Sequence, residues 1–264
     1  ESLMPYTPFE VKIKAFNRRG EGPFSQTVVV HSAEEEPTVG PSSINATALS
    51  AFDIQVSWES VHLLNTNGII RGYEIRYWRQ HEIESAADRV RTTGLEPTAR
   101  VSGLRPSTRY HIAVLAYNSA GTGPPSPRTF ITTRKPPPNR PPGNVSWKTR
   151  DSIVMVRWDQ VVTMHNESAV LGYKVLYKHN DETALKLVDK TKTSVSLPLP
   201  NDSGYVVLEI RSWGEGGDGP AHEIIVSQDS GTGMMVQKDA SSHLCPLYLL
   251  TGLILFTHVL MPDL

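Results

Sequence analysis

The chain has 264 residues, with 26 Lys and Arg against 27 Asp and Glu, a formal net charge of −1 and a pI near 6.9. This balance lacks the clustered basic composition that nucleic-acid binding requires. The single cysteine, Cys245, lies in an apolar C-terminal tail, so the rest of the chain has no disulfide framework and no cysteine-based metal site.

Internal repetition begins at the N-terminus. The segment 3–23 aligns without a gap with 104–124, and a third copy runs from 199 to 220 with one extra residue before its Gly-Pro pair. Alternating apolar and polar residues within each copy predict strands. We expect residues 1–33 to hold the last two strands of an incomplete module. We also expect this piece to be poorly packed, because two strands cannot form a sandwich by themselves.

The residue pattern of 37–134 predicts a complete β-sandwich module. An alternating run ends at Trp58, whose large side chain suits the centre of a core. Leu104 and Tyr110 have the spacing of a tyrosine corner, in which the Tyr hydroxyl turns back to the backbone upstream. We therefore predict that Trp58, Leu104 and Tyr110 belong to the core.

The same residue pattern in 143–228 predicts a second complete module. Trp158 corresponds to the first module's tryptophan, and Leu199 and Tyr205 repeat the Leu-x5-Tyr spacing. These three residues are predicted to be core residues as well.

Two short segments separate the modules. Glu34–Pro37 is an acidic junction ahead of the first complete module. The linker 135–142 has five prolines in eight positions, which favours polyproline II and predicts a semi-rigid spacer.

The fold class predicted from these elements is all-β, with tandem Greek-key sandwiches and no helical stretch before the tail. The tryptophan of the second strand, the Leu-x-Pro-x-Thr-x-Tyr run at 104–110 and the Asn-x-x-Gly-x-Gly-Pro loop at 118–124 resemble the fibronectin type III module. The resemblance covers residues 1–228. The lack of a cysteine pair agrees with it, since immunoglobulin domains normally carry one.

Enzyme signatures are weak along the whole chain. The run Gly214–Gly219 has the letters G-x-G-x-x-G, but it lies between two predicted strands and opens no helix, so we interpret it as a hairpin turn. The nine histidines lack metal-binding spacings. We predict no catalytic residue, cofactor, metal or small-molecule substrate. Trp78 and Trp213 are candidate exposed aromatics for partner binding, and the alternative is that each packs over its own sandwich.

Four sequons indicate an extracellular location. They are Asn45-Ala-Thr, Asn144-Val-Ser, Asn166-Glu-Ser and Asn201-Asp-Ser. We treat Asn45, Asn144, Asn166 and Asn201 as candidate N-glycosylation sites.

The C-terminal region 229–264 resembles a glycosylphosphatidylinositol (GPI) signal. Small residues at 230–233 precede a polar spacer and the apolar run 244–260, which is the order that such a signal needs. The attachment residue stays open among Asp229, Ser230 and Gly231, and the rest would be a removed propeptide. A membrane span and a buried helix are the alternatives. An anchor signal requires a secretory signal, so we expect this chain to be the C-terminal piece of a longer protein.

Tandem type III modules followed by a GPI signal resemble the contactin family of neural adhesion molecules. The resemblance implies a membrane-proximal stalk with interaction modules on the outer leaflet of the plasma membrane. It also implies binding to other cell-surface or extracellular adhesion proteins, in cis or in trans, and no binding of nucleic acid. The alternative is a fragment of a single-pass type III receptor.

Overall fold

A computed structural model describes residues 3–200, 204–227 and 231–235. The N-terminal part forms one hairpin whose two arms are each interrupted. β1 pairs with β4 and β2 pairs with β3, both antiparallel. Its apolar side chains are largely open to solvent, with Phe16 82% exposed. The strands are β1 (Pro8–Val11), β2 (Lys14–Asn17), β3 (Gly20–Phe24) and β4 (Val28–His31).

The middle of the chain folds into a β-sandwich. One sheet has the order β5-β6-β9 and the other β11-β10-β7-β8. Their inner faces enclose a cluster centred on Trp58 and Tyr73, whose rings lie 4.9 Å apart. The strands are β5 (Ser42–Ala48), β6 (Ile54–Glu59), β7 (Gly72–Arg79), β8 (Asp88–Arg91), β9 (Thr98–Val101), β10 (Arg109–Tyr117) and β11 (Thr129–Thr132).

A second sandwich follows, with sheets β16-β13-β12-β19 and β15-β14-β17-β18. Trp158 and Tyr173 occupy the corresponding central position, with ring centroids 5.3 Å apart. The predicted all-β sandwich class is confirmed. The strands are β12 (Val145–Arg150), β13 (Ile153–Arg157), β14 (Val170–His179), β15 (Glu182–Asp189), β16 (Ser194–Pro198), β17 (Tyr205–Gly214), β18 (Gly217–Ser227) and β19 (Thr232–Met235).

The first sandwich contains a tyrosine corner. The Tyr110 hydroxyl accepts a hydrogen bond of 2.9 Å from the backbone N–H of Arg105, and the side chain is 5% exposed. Leu104 lies in the same cluster and is 4% exposed. In the second sandwich, Trp158 and Leu199 are likewise buried.

The prediction that Tyr205 belongs to the core is wrong, because this side chain is 62% exposed. Five residues separate Leu104 from Tyr110, whereas six separate Leu199 from Val206, the first fully buried residue of β17. Since side chains alternate between the faces of a strand, one additional residue moves Tyr205 to the outer face.

The alignment of the third repeat copy must therefore be corrected. Trp213 lies opposite Gly172 in β14, as Tyr117 lies opposite Gly72 in β7. With this pairing, the two copies align without a gap from the first buried strand residue through the Gly-Pro pair. The extra residue precedes β17 and does not lie before the Gly-Pro pair.

We predict that Tyr110→Phe lowers the free energy of unfolding of its sandwich by about 1 kcal/mol, because it removes the acceptor of the Arg105 N–H. Tyr205→Phe is the matched control and should change stability by less than about 0.5 kcal/mol, since its ring is exposed. Native-state hydrogen exchange of β10 and β17 amides measures each sandwich separately. Equal losses in both variants would contradict the assignment of the corner to Tyr110 alone.

Candidate functional site

The acidic junction is bound to the sandwich that follows it. One carboxylate oxygen of Glu34 accepts a 2.9 Å hydrogen bond from the Ile69 N–H, and the other accepts bonds from the N–H and the hydroxyl of Ser119. The bond from the Ile69 N–H, followed by that from the Ser119 hydroxyl, holds the pKa of Glu34 below its usual value. The carboxylate thus joins two loops of the sandwich to the segment that enters it.

Asn118 completes this junction from the loop after β10. Its side-chain amide donates to the carbonyl oxygens of Glu35 (2.6 Å) and Thr66 (3.1 Å), and its side-chain oxygen accepts from the N–H groups of Ala120 (3.0 Å) and Gly121 (3.1 Å). Asn118 is 5% exposed. The Asn-x-x-Gly-x-Gly-Pro loop that identified the module therefore also holds the preceding segment.

Close approach explains a glycine of this loop. A Cβ built on Gly121 would lie 2.1 Å from a carboxylate oxygen of Glu36. A larger residue at 121 would require the Glu36 side chain to move. The glycine loop and the acidic residues can both be recognised in the sequence. Their contact cannot, because only the folded chain brings Gly121 next to Glu36.

The proline-rich linker is also docked onto the sandwich that follows. The Ser168 N–H donates to the Pro136 carbonyl (2.7 Å), and the Asn139 N–H donates to a Glu167 carboxylate oxygen (3.0 Å). The Lys135 ammonium donates to the His165 carbonyl (2.8 Å). These bonds fix the linker against the sandwich, so it is more than the semi-rigid spacer that its composition predicts.

The two sandwiches contact each other through the glycine-rich loop. The Ala51 N–H donates to the Gly216 carbonyl (3.0 Å), and Arg134 forms an ion pair with Glu215 while its Nε donates to the Ala48 carbonyl (3.0 Å). The loop connects β17 to β18, as the turn interpretation predicts, and Gly217 has a φ of +118°. Its role in the structure is to join two modules.

Neither candidate tryptophan is a freely exposed aromatic. Trp78 is 3% exposed and stacks on His111, with ring centroids 5.4 Å apart. The candidate of an exposed Trp78 is therefore wrong and the packed alternative holds, because the ring packs against His111 of the neighbouring strand. Trp213 is half-buried, and a Cβ on Gly172 would lie 2.8 Å from its indole nitrogen, so the ring packs closely over β14.

Three of the four candidate glycosylation residues lie in the described part of the chain. Asn45 in β5 and Asn166 are exposed. Asn144 is exposed as well, with a φ of +46°, and its side-chain amide donates to Asp159 (2.6 Å). Asn201 lies outside the described residues.

One candidate anchor residue, Gly231, is described, whereas Asp229, Ser230 and the apolar tail lie outside the described residues. The Gly231 carbonyl accepts hydrogen bonds from the N–H (2.9 Å) and the hydroxyl (3.0 Å) of Thr149. β19 then pairs with β12, which places Gly233 opposite Trp147. A Cβ on Gly233 would lie 2.1 Å from the Trp147 ring, so only glycine allows this contact.

Within the described ranges, no helix has the length and apolar character needed to cross a bilayer. Over the same ranges, His, Cys, Asp and Glu side chains form no group suited to hold a metal ion.

Comparison with known proteins covers most of the chain. The model of the fibronectin type III domain matches residues 39–132. Human Contactin-2 is 51% identical over 240 residues, which are 91% of this chain and 23% of that protein. Human Contactin-4 is 51% identical over 225 residues, or 85% of this chain and 22% of that protein. The chain therefore spans less than a quarter of the length of these relatives.

A solved structure shares the fold. The FN1–FN3 domains of chicken CNTN1 superpose with a TM-score of 0.56 and 23% sequence identity, covering 85% of this chain and 78% of that one. At this identity the likeness concerns the fold alone. The type III fold predicted from the sequence is confirmed.

We predict that acidification releases the Glu34 side chain from Ile69 and Ser119. The docked Glu34 has a lowered pKa, so docking is favoured above the ordinary carboxyl range and is lost as the pH falls through the lowered value. NMR titration of the Ile69 and Ser119 amides should show this transition below pH 4.5, the unperturbed pKa. Glu34→Gln should abolish it, and Glu35→Gln, which removes the same charge one residue later, should leave it. A transition that survives Glu34→Gln would assign the effect to another group.

Proposed function

Since this chain belongs to the contactin family, we propose that it is the membrane-proximal part of a GPI-anchored adhesion glycoprotein of the neuronal cell surface. The observation that carries this proposal is the identity of 51% to human Contactin-2 across 91% of the chain. The proposed role is that of a stalk whose modules also contact other adhesion proteins, in cis or in trans.

The docked junctions support the stalk role. A stalk must keep the relative positions of its modules fixed. Both linkers are held by hydrogen bonds to the sandwich that follows them. The ten residues of β14 span about 33 Å at roughly 3.3 Å per residue, so each sandwich adds a few tens of ångströms. Two such modules in series would hold more distal domains well away from the lipid surface.

The exposed sequon residues support a glycosylated, extracellular surface. Asn45, Asn144 and Asn166 are open to solvent on two different modules, so a glycan on any of them would point away from a core. We propose N-linked glycans at these positions and at Asn201.

Anchor attachment at Asp229, Ser230 or Gly231 has a structural consequence. Transfer of the chain to lipid at these residues would remove β19, because this strand begins at Thr232. The buried cluster described for the last sandwich runs from Val145 to Val226, ahead of the candidate anchor residues. The mature module would then have β12 as the edge of its sheet, as the preceding module has β5.

We predict that phosphatidylinositol-specific phospholipase C releases this chain from cells that display it behind a signal peptide and an N-terminal epitope tag. The lipid would be the only link to the membrane, so the tag should appear in the medium. Mass spectrometry of the released chain should find its last peptide ending between 229 and 231. A matched variant with leucine at Asp229, Ser230 and Gly231 should yield no released chain, because bulky residues block the small-residue site.

Retention of the tag would contradict the anchor, provided that metabolic labelling excludes a lipase-resistant acylated lipid. The tail would then be a membrane span, and the receptor alternative would take precedence. A released chain that ends after residue 235 would support the anchor but place it beyond β19.

A further inference from the structure

Arginines form a row across the outer face of the four-stranded sheet of the first sandwich. The strand register places Arg89 of β8 opposite Arg76 of β7, and Arg76 opposite Ala113 of β10. Arg128 lies one residue before β11, whose first residue, Thr129, pairs with Ile112, the neighbour of Ala113. Three strand spacings of about 4.8 Å make this arginine row roughly 14 Å long.

The row carries more positive charge than its neighbours balance. Arg89 is exposed and makes no ion pair within the described part of the chain. The side chain of Arg128 is 62% exposed, and its nearest carboxylate, that of Glu84, is 4.0 Å away. Arg76 and Arg91 share a single carboxylate, that of Glu74, at 2.7 Å and 2.8 Å.

The shared carboxylate is charged. Burial of Glu74 would raise its pKa, but the hydrogen bonds from Arg76 and Arg91 outweigh this effect and hold the pKa below its usual value. Its single negative charge therefore balances only one of the two positive charges of Arg76 and Arg91. Arg109, whose guanidinium lies 3.8 Å from the centre of the Phe130 ring, adds a further cation to the same face.

The fold does not require this charge. The same row in the second sandwich runs through Leu185, Leu176, Glu209 and Glu223, which the register places opposite one another in that order. It is apolar and acidic where the first sandwich is basic. Two sandwiches of one architecture therefore differ at this position because of their sequences.

Composition shows the same local bias. Between 37 and 134 the chain has ten arginines, no lysine and seven acidic residues, although the whole chain has a net charge of −1. Like charges placed directly opposite each other across strands, as Arg76 and Arg89 are, destabilise a sheet. An anionic ligand would relieve this repulsion, and guanidinium groups bind oxyanions in a bidentate manner that ammonium groups cannot reproduce.

We propose that the arginine row of the first sandwich binds a sulfated polysaccharide. Such a polymer carries sulfates at repeated intervals along an extended chain, so it can cross a flat row of cations without inserting a side chain into a pocket. Its sulfates also keep their charge at every physiological pH. This inference concerns residues 76–128 and is independent of the anchor and of the stalk role.

The test uses the full chain in nonionic detergent and heparin as the probe. Arg89→Ser with Arg128→Ser should weaken heparin binding about tenfold or more, because two charge-assisted contacts are lost and the remaining arginines compensate only in part. It should also flatten the dependence of affinity on salt, because fewer counterions are released. Both side chains are exposed and Arg89→Ser removes the repulsion from Arg76, so the melting temperature should not fall.

The matched control is Lys190→Ser with Lys192→Ser, which removes the same charge from exposed positions of the second sandwich. It should change heparin affinity by no more than about twofold. Arg89→Lys with Arg128→Lys keeps the charge but loses bidentate geometry, and it should fall between the wild type and the serine variant.

Three results would overturn the proposal. One is binding of desulfated heparin as tight as that of heparin, and a second is an equal loss in the two serine variants, which would reflect net charge alone. The third is equal affinity for a polyglutamate peptide with the same loss on substitution, which would make the row a site for acidic proteins.

Discussion

Pairing between neighbouring strands determines where every other group of this chain lies, because side chains alternate between the two faces of a paired strand. The two sandwiches place Trp58 and Trp158 in equivalent central positions through the same register. A single additional residue before β17 is enough to turn Tyr205 out of the core and let Val206 take the inward position. The same rule, applied to the outer face, brings arginines of three different chain segments into one row.

The junctions show how consecutive small modules can be held in fixed positions relative to the segments that connect them. Each linker is bound by the loops of the sandwich that follows it, through Glu34 and Asn118 in one case and through Ser168 and Glu167 in the other. The glycine-rich turn between β17 and β18 adds a direct contact with the preceding sandwich. Each of these bonds has a backbone group as donor or acceptor, so they depend on loop shape as well as on linker side chains such as Glu34.

The two sandwiches share an architecture and differ in the surfaces that they present. Outward-facing positions are not constrained by core packing, so equivalent rows can be arginine-rich in one module and apolar and acidic in the other. A buried carboxylate such as Glu74 is tolerated only because two guanidinium groups compensate its charge. Surface chemistry is therefore where modules of one family can acquire separate binding functions.

Periodicity, the tryptophan and leucine spacings and the glycine-proline loops were sufficient to predict the sandwich class and five of the six core residues named from them, since these signals are local and repeat along the chain. They could not decide the facing of Tyr205, the burial of Trp78 beneath its neighbours, or the docking of Glu34 against Ile69 and Ser119. Each of these depends on which residues stand opposite one another across strands or loops far apart in the sequence. Local pattern determines that a strand forms and which of its residues are apolar, whereas only the tertiary pairing decides what each side chain contacts.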